Sequence, residues 1–340
     1  MSSFISLSNA LHWHKLKSHD DEDLPQEDVM KLWGFYNMMK WTRGCSFVMR
    51  GESNENLMEQ FETNANNPAL LAKYLFMTGE KGRVCWENRK YLDPDDTGKE
   101  NFEAICKALA RYIRGGCRGN SGRAQRMRDF YNRNEAFCRA FECIDDIVSR
   151  YDKLKEKDKR RVNLYYLAVA HTVNSYDYKK TSSYVSTTTD RDVAQNFTAD
   201  VCIYGWVPKM EISHAQVKTI DFVDIENNEF VKRKGLPYCN TPVYPDQKGV
   251  ALRCGFLPHF IIGFMVGSKF YVNPAISRSM DKMQEMKSFK ELNAFKHRLI
   301  MYGLDVDQNN FEDFCRMTKF KRYYTFDGNI YEIHCLDTER

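Results

Sequence analysis

A chain of 340 residues, 43% hydrophobic and 28% charged, has the balance of a folded globular protein, with room for one large domain or two ordinary ones. The net charge of +4 is modest, and no apolar run approaches the roughly 18–20 residues that a membrane span needs. The 11 cysteines are odd in number, scattered and without a Cys-x-x-Cys pair, which favours reduced thiols in a cytosol over a disulfide framework or a zinc site.

The chain opens on a polar stretch, Met1 to about residue 30, without the basic and long apolar regions of a signal peptide. His12, His14 and His19 with Asp20, Asp21 and Asp23 read there as a mobile polar segment rather than a metal site. Trp33, Phe35, Tyr36 and Met39 recur at helical spacing, and Phe47 to Arg50 reads as a short strand running into Gly51. Residues 55–78 read as helical on Leu57, Phe61, Leu70, Leu71 and Tyr74.

From about residue 100 to 174 the pattern is strongly helical. Phe102, Ile105, Cys106, Leu109 and Ile113 mark one amphipathic helix, ended by Gly115-Gly116. A longer helix is predicted over Gln125 to Lys155 and a third over Arg161 to Asn174. Cys106, Cys138 and Cys143 sit among apolar residues and read as small core residues. From Ser182 the pattern turns to strands, at Val201 to Val207, Val217 to Val223, Val250 to Leu252 and Phe260 to Val266. Helical periodicity returns through Met280 to Met301, and Asp327-Gly328 between two β-prone runs predicts a closing hairpin.

Charge is uneven along the chain. Arg111, Arg114, Arg118, Arg123, Arg126 and Arg128 fall in one stretch with no acidic residue. It reads either as a solvated helix end or as a phosphate-facing surface, with Tyr112, Phe130 and Tyr131 available for stacking on bases. A second basic block, from Lys153 to Arg161, is interrupted by Glu156 and Asp158 and reads as an ordinary solvated face.

Three short polar motifs stand on predicted strands. They are Arg50-Gly51, Ser186-Thr187-Thr188, and Gln247-Lys248-Gly249 leading into Val250-Ala251-Leu252. Taken singly, the bland readings are an edge-strand arginine in an ion pair, a Ser/Thr strand with capping capacity, and a Gly-containing hairpin. Alternation along a strand would put Gln247 and Gly249 on one face. No Gly-x-Gly-x-x-Gly follows a strand, so a Rossmann site is not indicated, and no Gly-x-Ser-x-Gly occurs.

In order and spacing these motifs resemble the mono-ADP-ribosyltransferases of the Arg / Ser-Thr-Ser / Glu class. The likeness covers about residues 40–55 and 182–270, and it includes the run Asp190-Arg191-Asp192-Val193-Ala194-Gln195-Asn196-Phe197 after the second motif. It implies an α+β fold: a split β-sheet transferase core, an inserted helical subdomain and a C-terminal helical and hairpin extension. The domain boundaries expected are 1–99 for the part with the Arg strand, 100–180 for the arginine-rich insert, 181–275 for the rest of the core and 276–340 for the extension.

The resemblance also implies a chemistry. NAD⁺ is the substrate and no metal is needed. Attack at C1′ of the nicotinamide ribose passes through an oxocarbenium-like state. Arg50 would offer a fork of donors to the pyrophosphate, with Gly51 allowing close backbone approach. Ser186, Thr187 and Thr188 would orient the nicotinamide ribose, and Phe197 would lie near the nicotinamide. Gln247 would face the acceptor. At the place of the family's catalytic glutamate stands Gly249, which has no side chain to stabilise the developing cation. Two explanations stand: a Glu→Gly inactivation of an active toxin, or a natural pseudoenzyme or divergent enzyme using another carboxylate. Asp246, Glu226 and Glu229 are the nearest in sequence.

The function expected is therefore an NAD-dependent mono-ADP-ribosyltransferase toxin acting in the cytoplasm on a nucleic acid, RNA before DNA. Arg118, Arg123 and Arg126 would bind the nucleic acid, and an antitoxin protein would restrain the toxin, as in an antiphage toxin–antitoxin system. The alternatives are transfer to a protein acceptor, or a catalytically dead NAD- or nucleic-acid-binding module.

Overall fold

The computed structural model describes residues 2–42, 44–81, 92–173, 182, 184–197, 200–208, 222–226, 228–253, 255–305, 322–326 and 331–335. The fold is mixed α+β, in two compact units. The first unit comprises Met1–Trp86, Thr187–Ile220 and Cys254–Arg340, and the second Glu87–Ser186 and Asp221–Arg253. These bounds differ from the four consecutive segments expected. Val223, Ile225 and Ala251 pack into the same apolar core as the helices of residues 99–173, so residues 221–253 group with those helices.

The N-terminal stretch, read as a mobile polar segment, forms regular elements in the structure. Helix α1, Ser2–Trp13, buries Leu7, Ala10 and Leu11, and β1, Lys15–Lys17, follows it. Asp21 serves as an ion-pair partner of Lys269 and accepts from the Tyr271 hydroxyl. Helix α2, Gln26–Thr42, buries Leu32, Phe35, Tyr36, Met38 and Met39 and leads into β2, Cys45–Glu52. The helix read over residues 55–78 is two, α3, Asn54–Phe61, and α4, Pro68–Thr78. Glu62, with φ 56°, caps the first in the left-handed region, and Pro68 opens the second behind an Asn67 cap.

The second unit begins with α5, Lys99–Gly116, whose buried stripe is the one read from the sequence. The single long helix expected next is three: α6, Gly122–Arg133, α7, Glu135–Ala140, and α8, Asp145–Asp152. Asn134 causes the first break. Its backbone is non-helical at φ −126°, ψ 36°, and its buried amide donates to Phe130 and Thr241 carbonyls while accepting from Asn240 and Thr241 N–H groups. A buried amide is stable only with such partners, so this tertiary network outweighs helix continuation. Helix α9, Glu156–Val173, is buried along most of its length. Phe102 stacks on Tyr151 at 3.6 Å between ring centroids, and Phe141 meets Tyr166 edge-on at 5.4 Å. Cys106 and Cys138 belong to this core, whereas Cys143 is exposed and does not.

Strand β3, Tyr184–Thr188, contains the boundary between the units, and α10, Arg191–Phe197, starts just after it. In the first unit β4, Val201–Pro208, is buried at every position, the pattern of a strand covered on both faces. The second unit resumes with β5, Phe222–Asp224, helix α11, Glu229–Arg233, a 3₁₀ turn at Pro245–Gln247, and β6, Gly249–Arg253. β5 and β6 pair antiparallel with Asp224 opposite Val250. The first unit closes with β7, Ile261–Val266, β8, Lys269–Val272, and helices α12, Ala275–Gln284, and α13, Phe289–Tyr302. β9, Arg322–Phe326, pairs with β10, Tyr331–Cys335, antiparallel; Asp327 and Gly328 lie outside the described residues.

Strand order in the first unit runs β1-β8-β7-β4-β2, with β1 parallel to β8 and the remaining pairs antiparallel. Trp206 on β4 is fully buried between Phe35 and Phe260, and its indole N–H donates to the Ile300 carbonyl at 3.1 Å. β2 also pairs with β3, Met49 opposite Thr188, and β3 neighbours β6.

Candidate functional site

Arg50 stands on β2 in the first unit, inside a buried charge cluster. Glu52 follows it by two residues and so shares its face of the strand. Arg50 Nη2 contacts Glu52 Oε1, and Nε lies 2.9 Å from Glu80 Oε2. Both carboxylates are buried, at 2% and 1% exposure. Asn56 Nδ2 donates to Glu52 Oε2 at 2.9 Å, and Lys81 Nζ stands 3.5 Å from Glu52 and 3.9 Å from Glu80.

Backbone geometry delivers Glu80 to this place. Gly79 has φ 71°, and a Cβ there would meet the Phe256 carbonyl oxygen at 2.3 Å, so only glycine fits. Glu80 then exchanges two backbone hydrogen bonds with Phe256, at 2.9 and 2.8 Å. Burial pushes the Glu80 carboxyl up to about 7, against Arg50 and Lys81 and with help from the Glu52 charge. For Glu52 burial is outweighed by Arg50 and Lys81, which hold it down to about 2. Arg50 was expected to face a pyrophosphate; in the structure its Nε and Nη2 face two carboxylates of its own chain.

The second motif divides at the unit boundary. Thr187 and Thr188 belong to the first unit and are buried, and Thr188 Oγ1 accepts from the Asp190 N–H at 2.9 Å on the way into α10. Ala194 of α10 is buried, Val193 beside it is half-buried, and Phe197 ends the helix. Gly51 lies on β2, opposite Cys202 of β4.

Ser186 belongs to the second unit and is exposed. Its Oγ lies 2.7 Å from Nε2 of His171, a buried residue near the end of α9. The Tyr184 hydroxyl donates to the Leu164 carbonyl at 3.0 Å and ties the same strand to the same helix. His171 was missed in the sequence. The signal was a histidine on a helix whose neighbours Leu167, Ala168 and Ala170 are all apolar, where a buried ring needs a polar partner.

The third motif is not a continuous strand, which corrects the premise that Gln247 and Gly249 alternate on one face. Gln247 ends the 3₁₀ turn, half-buried, with its N–H donating to the Tyr244 carbonyl. Lys248 takes the left-handed conformation, φ 44° and ψ 50°, and the strand starts only at Gly249. Pro245 sets the turn, because its ring supplies the φ of a helical first position. At the far end of β6, buried Arg253 forks onto both oxygens of Asp95, with Nη1 3.0 Å from Oδ1. Arg160 Nε also reaches Asp95, at 2.6 Å. Against its burial, Arg253 and Arg160 hold Asp95 down to about 2. Asn163 Nδ2 donates to the carbonyls of Pro94 and Asp96 and fastens the loop that carries Asp95.

The arginine stretch, all within the second unit, sorts into two kinds. Arg111, Arg114, Arg118 and Arg126 are exposed, and Arg126 also lies over the Tyr244 ring at 5.6 Å. Arg123 and Arg128 are half-buried and hold backbone: Arg123 donates to the Val173 carbonyl, and Arg128 to those of Cys117 and Gly119. The stacking expected of Phe130 is excluded, since its ring is fully buried in the core. Tyr131 is half-buried, and its hydroxyl donates to Glu142.

Among the described residues no group of three or more His, Cys, Asp or Glu side chains is arranged to hold a metal, and no helix is long and apolar enough to cross a membrane. No family model, curated protein or solved structure matches the chain.

Proposed function

We propose that this chain is a mono-ADP-ribosyltransferase of the Arg / Ser-Thr-Ser / Glu type, using NAD⁺ to modify RNA. One observation carries the reading. Within the second unit, Ser186 stands on β3 and Gly249 opens the neighbouring strand β6, although about 60 residues separate them in sequence. Within the first unit, Met49, the residue before Arg50, pairs with Thr188 of the Ser-Thr-Thr run. Motif residues far apart in sequence thus fall on neighbouring strands inside each unit, which supports a shared role for them.

The second unit supplies the groups for the sugar chemistry. Ser186, held by His171, is an exposed hydroxyl on a strand whose flanking residues are buried, so its position is well determined. Gln247, on a turn set by Pro245, would orient the acceptor. The exposed arginines Arg111, Arg114, Arg118 and Arg126 supply positive charge for a phosphate backbone, which supports a nucleic-acid acceptor. An antitoxin partner and a cytoplasmic site of action are the biological setting proposed for such a toxin. Arg50 as the pyrophosphate ligand is the role that the geometry supports least, because Glu52 and Glu80 already engage it.

A second reading, a catalytically dead NAD- or nucleic-acid-binding module, is favoured by the glycine at position 249. The experiment that separates the readings is incubation of labelled NAD⁺ with total RNA, DNA and protein, using the parent and the Gly249→Glu chain. Label on RNA supports the proposal. Label on protein supports a protein acceptor, and no label on any fraction supports the dead module.

A further inference from the structure

The chemistry proposed needs an anion near C1′ of the nicotinamide ribose, and β6 has a glycine where that anion is expected. The second unit holds four carboxylates close to β6 in sequence or by strand pairing. Asp246 is exposed on the 3₁₀ turn. Glu229 is exposed on α11 and lies 3.8 Å from Lys232. Asp224 ends β5 and accepts from the N–H of Glu226 at 3.1 Å.

Glu226 is different. Asp224 is the strand partner of Val250, the residue after Gly249, and Glu226 follows Asp224 by two residues, at the same end of the β5–β6 ladder where β6 begins. Its backbone is held on both sides, by the Asp224 carboxylate at its N–H and by the Tyr238 hydroxyl donating to its carbonyl at 3.1 Å. Its side chain is half-buried, and Oε1 is fully shielded from solvent with no hydrogen-bond partner among the described residues. A desolvated carboxylate oxygen without a donor is costly, so this oxygen calls for a partner such as a bound ligand or a water.

We infer that Glu226 supplies the catalytic carboxylate that position 249 lacks, reaching the nicotinamide ribose from the bend just after β5 instead of from β6. This rests on the ADP-ribosyltransferase reading. Burial raises the Glu226 carboxyl above its ordinary value; the Asp224 and Asp246 charges add to this, and Lys248 opposes them. In the step proposed, the C1′–N bond of NAD⁺ breaks and its electron pair leaves with neutral nicotinamide. The ionised Glu226 carboxylate faces the oxocarbenium ion and is not consumed. The acceptor then bonds to C1′ and gives its proton to solvent; with water as acceptor the products are ADP-ribose, nicotinamide and a proton.

The test is nicotinamide release from NAD⁺ by five purified chains: the parent, Glu226→Gln, Gly249→Glu, the double variant Glu226→Gln with Gly249→Glu, and the control Glu229→Gln. The expected result is measurable release by the parent and by the control, a loss of roughly 10²–10³-fold in Glu226→Gln, and recovery in the double variant. Recovery also shows that Glu226→Gln folds. Equal release by the parent and Glu226→Gln overturns the inference and leaves the transferase reading standing. So does release by Gly249→Glu with none by the parent, or an equal loss in Glu229→Gln. No release by any of the five chains overturns the transferase reading itself.

Discussion

His171 Nε2 lies 2.7 Å from Ser186 Oγ, joining a buried ring on α9 to an exposed hydroxyl on β3. The helix side of this pair is rigid: nearly every residue of α9 from Val162 onward is buried, and Tyr184 anchors the strand to Leu164. The hydroxyl therefore has one preferred direction. His171→Ala should cost about 0.5–1.5 kcal/mol of stability for the lost hydrogen bond, because the exposed Ser186 hydroxyl left behind can turn to water. In the Gly249→Glu background, Ser186→Ala and His171→Ala should each slow nicotinamide release, and the double variant should be little worse than either. Groups that act as a unit are not additive. Additive losses would separate His171 from Ser186.

Breaking the Arg50 cluster should unfold the protein more easily. Arg50→Ala leaves Glu52 and Glu80 buried without their main counter-charge, and removing one partner of a buried pair typically costs about 3–5 kcal/mol. A denaturant midpoint unchanged by Arg50→Ala would show that the cluster does not hold the first unit. Calorimetry with NAD⁺ below the unfolding transition then tests the separate, phosphate-binding role.

The two carboxylates of that cluster respond to pH with opposite signs. Glu80 is raised from 4.5 to about 7, so the folded state holds its proton more tightly than the unfolded chain does. Its contribution is complete below about 4.5 and is lost as pH rises to about 7. Glu52 is depressed to about 2, so its contribution is present above 4.5 and is lost as pH falls towards 2. Glu80→Gln should remove the decline in stability between those upper limits and leave the acid loss in place. Melting curves across pH 4 to 8 that are parallel for parent and variant would contradict this assignment.

Arg118→Ala with Arg126→Ala should weaken RNA binding and flatten its salt dependence, by about 0.7 in log–log slope for each single-strand phosphate no longer neutralised. Arg123 is the wrong residue for this test, because its bond to the Val173 carbonyl makes its removal a structural change. Affinity and slope equal to those of the parent at several salt concentrations would return the exposed arginines to a solvated surface.

Much of the helical framework was legible in the sequence, because burial stripes such as Phe102, Ile105, Cys106, Leu109 and Ile113 repeat at helical spacing and the structure buries all five. The breaks were not. Asn134 interrupts a good helical pattern through partners more than a hundred residues away, at Asn240 and Thr241, and no local propensity records such bonds. The same holds for the candidate site. Arg50, Ser186 and Gln247 could be named from their motifs, whereas Glu80 reaches Arg50 through the left-handed Gly79, and His171 reaches Ser186 across a helix-to-strand contact. Gln247 was misplaced on a strand because period-two alternation says nothing of a proline-led turn just before the strand begins.

The decisive measurement is whether the Gly249→Glu chain releases nicotinamide from NAD⁺ and leaves labelled ADP-ribose on added RNA. A transferase of this kind should do both, with toxicity when that chain is expressed. Intact NAD⁺ after prolonged incubation with folded parent and folded Gly249→Glu chains, with RNA present, would contradict it.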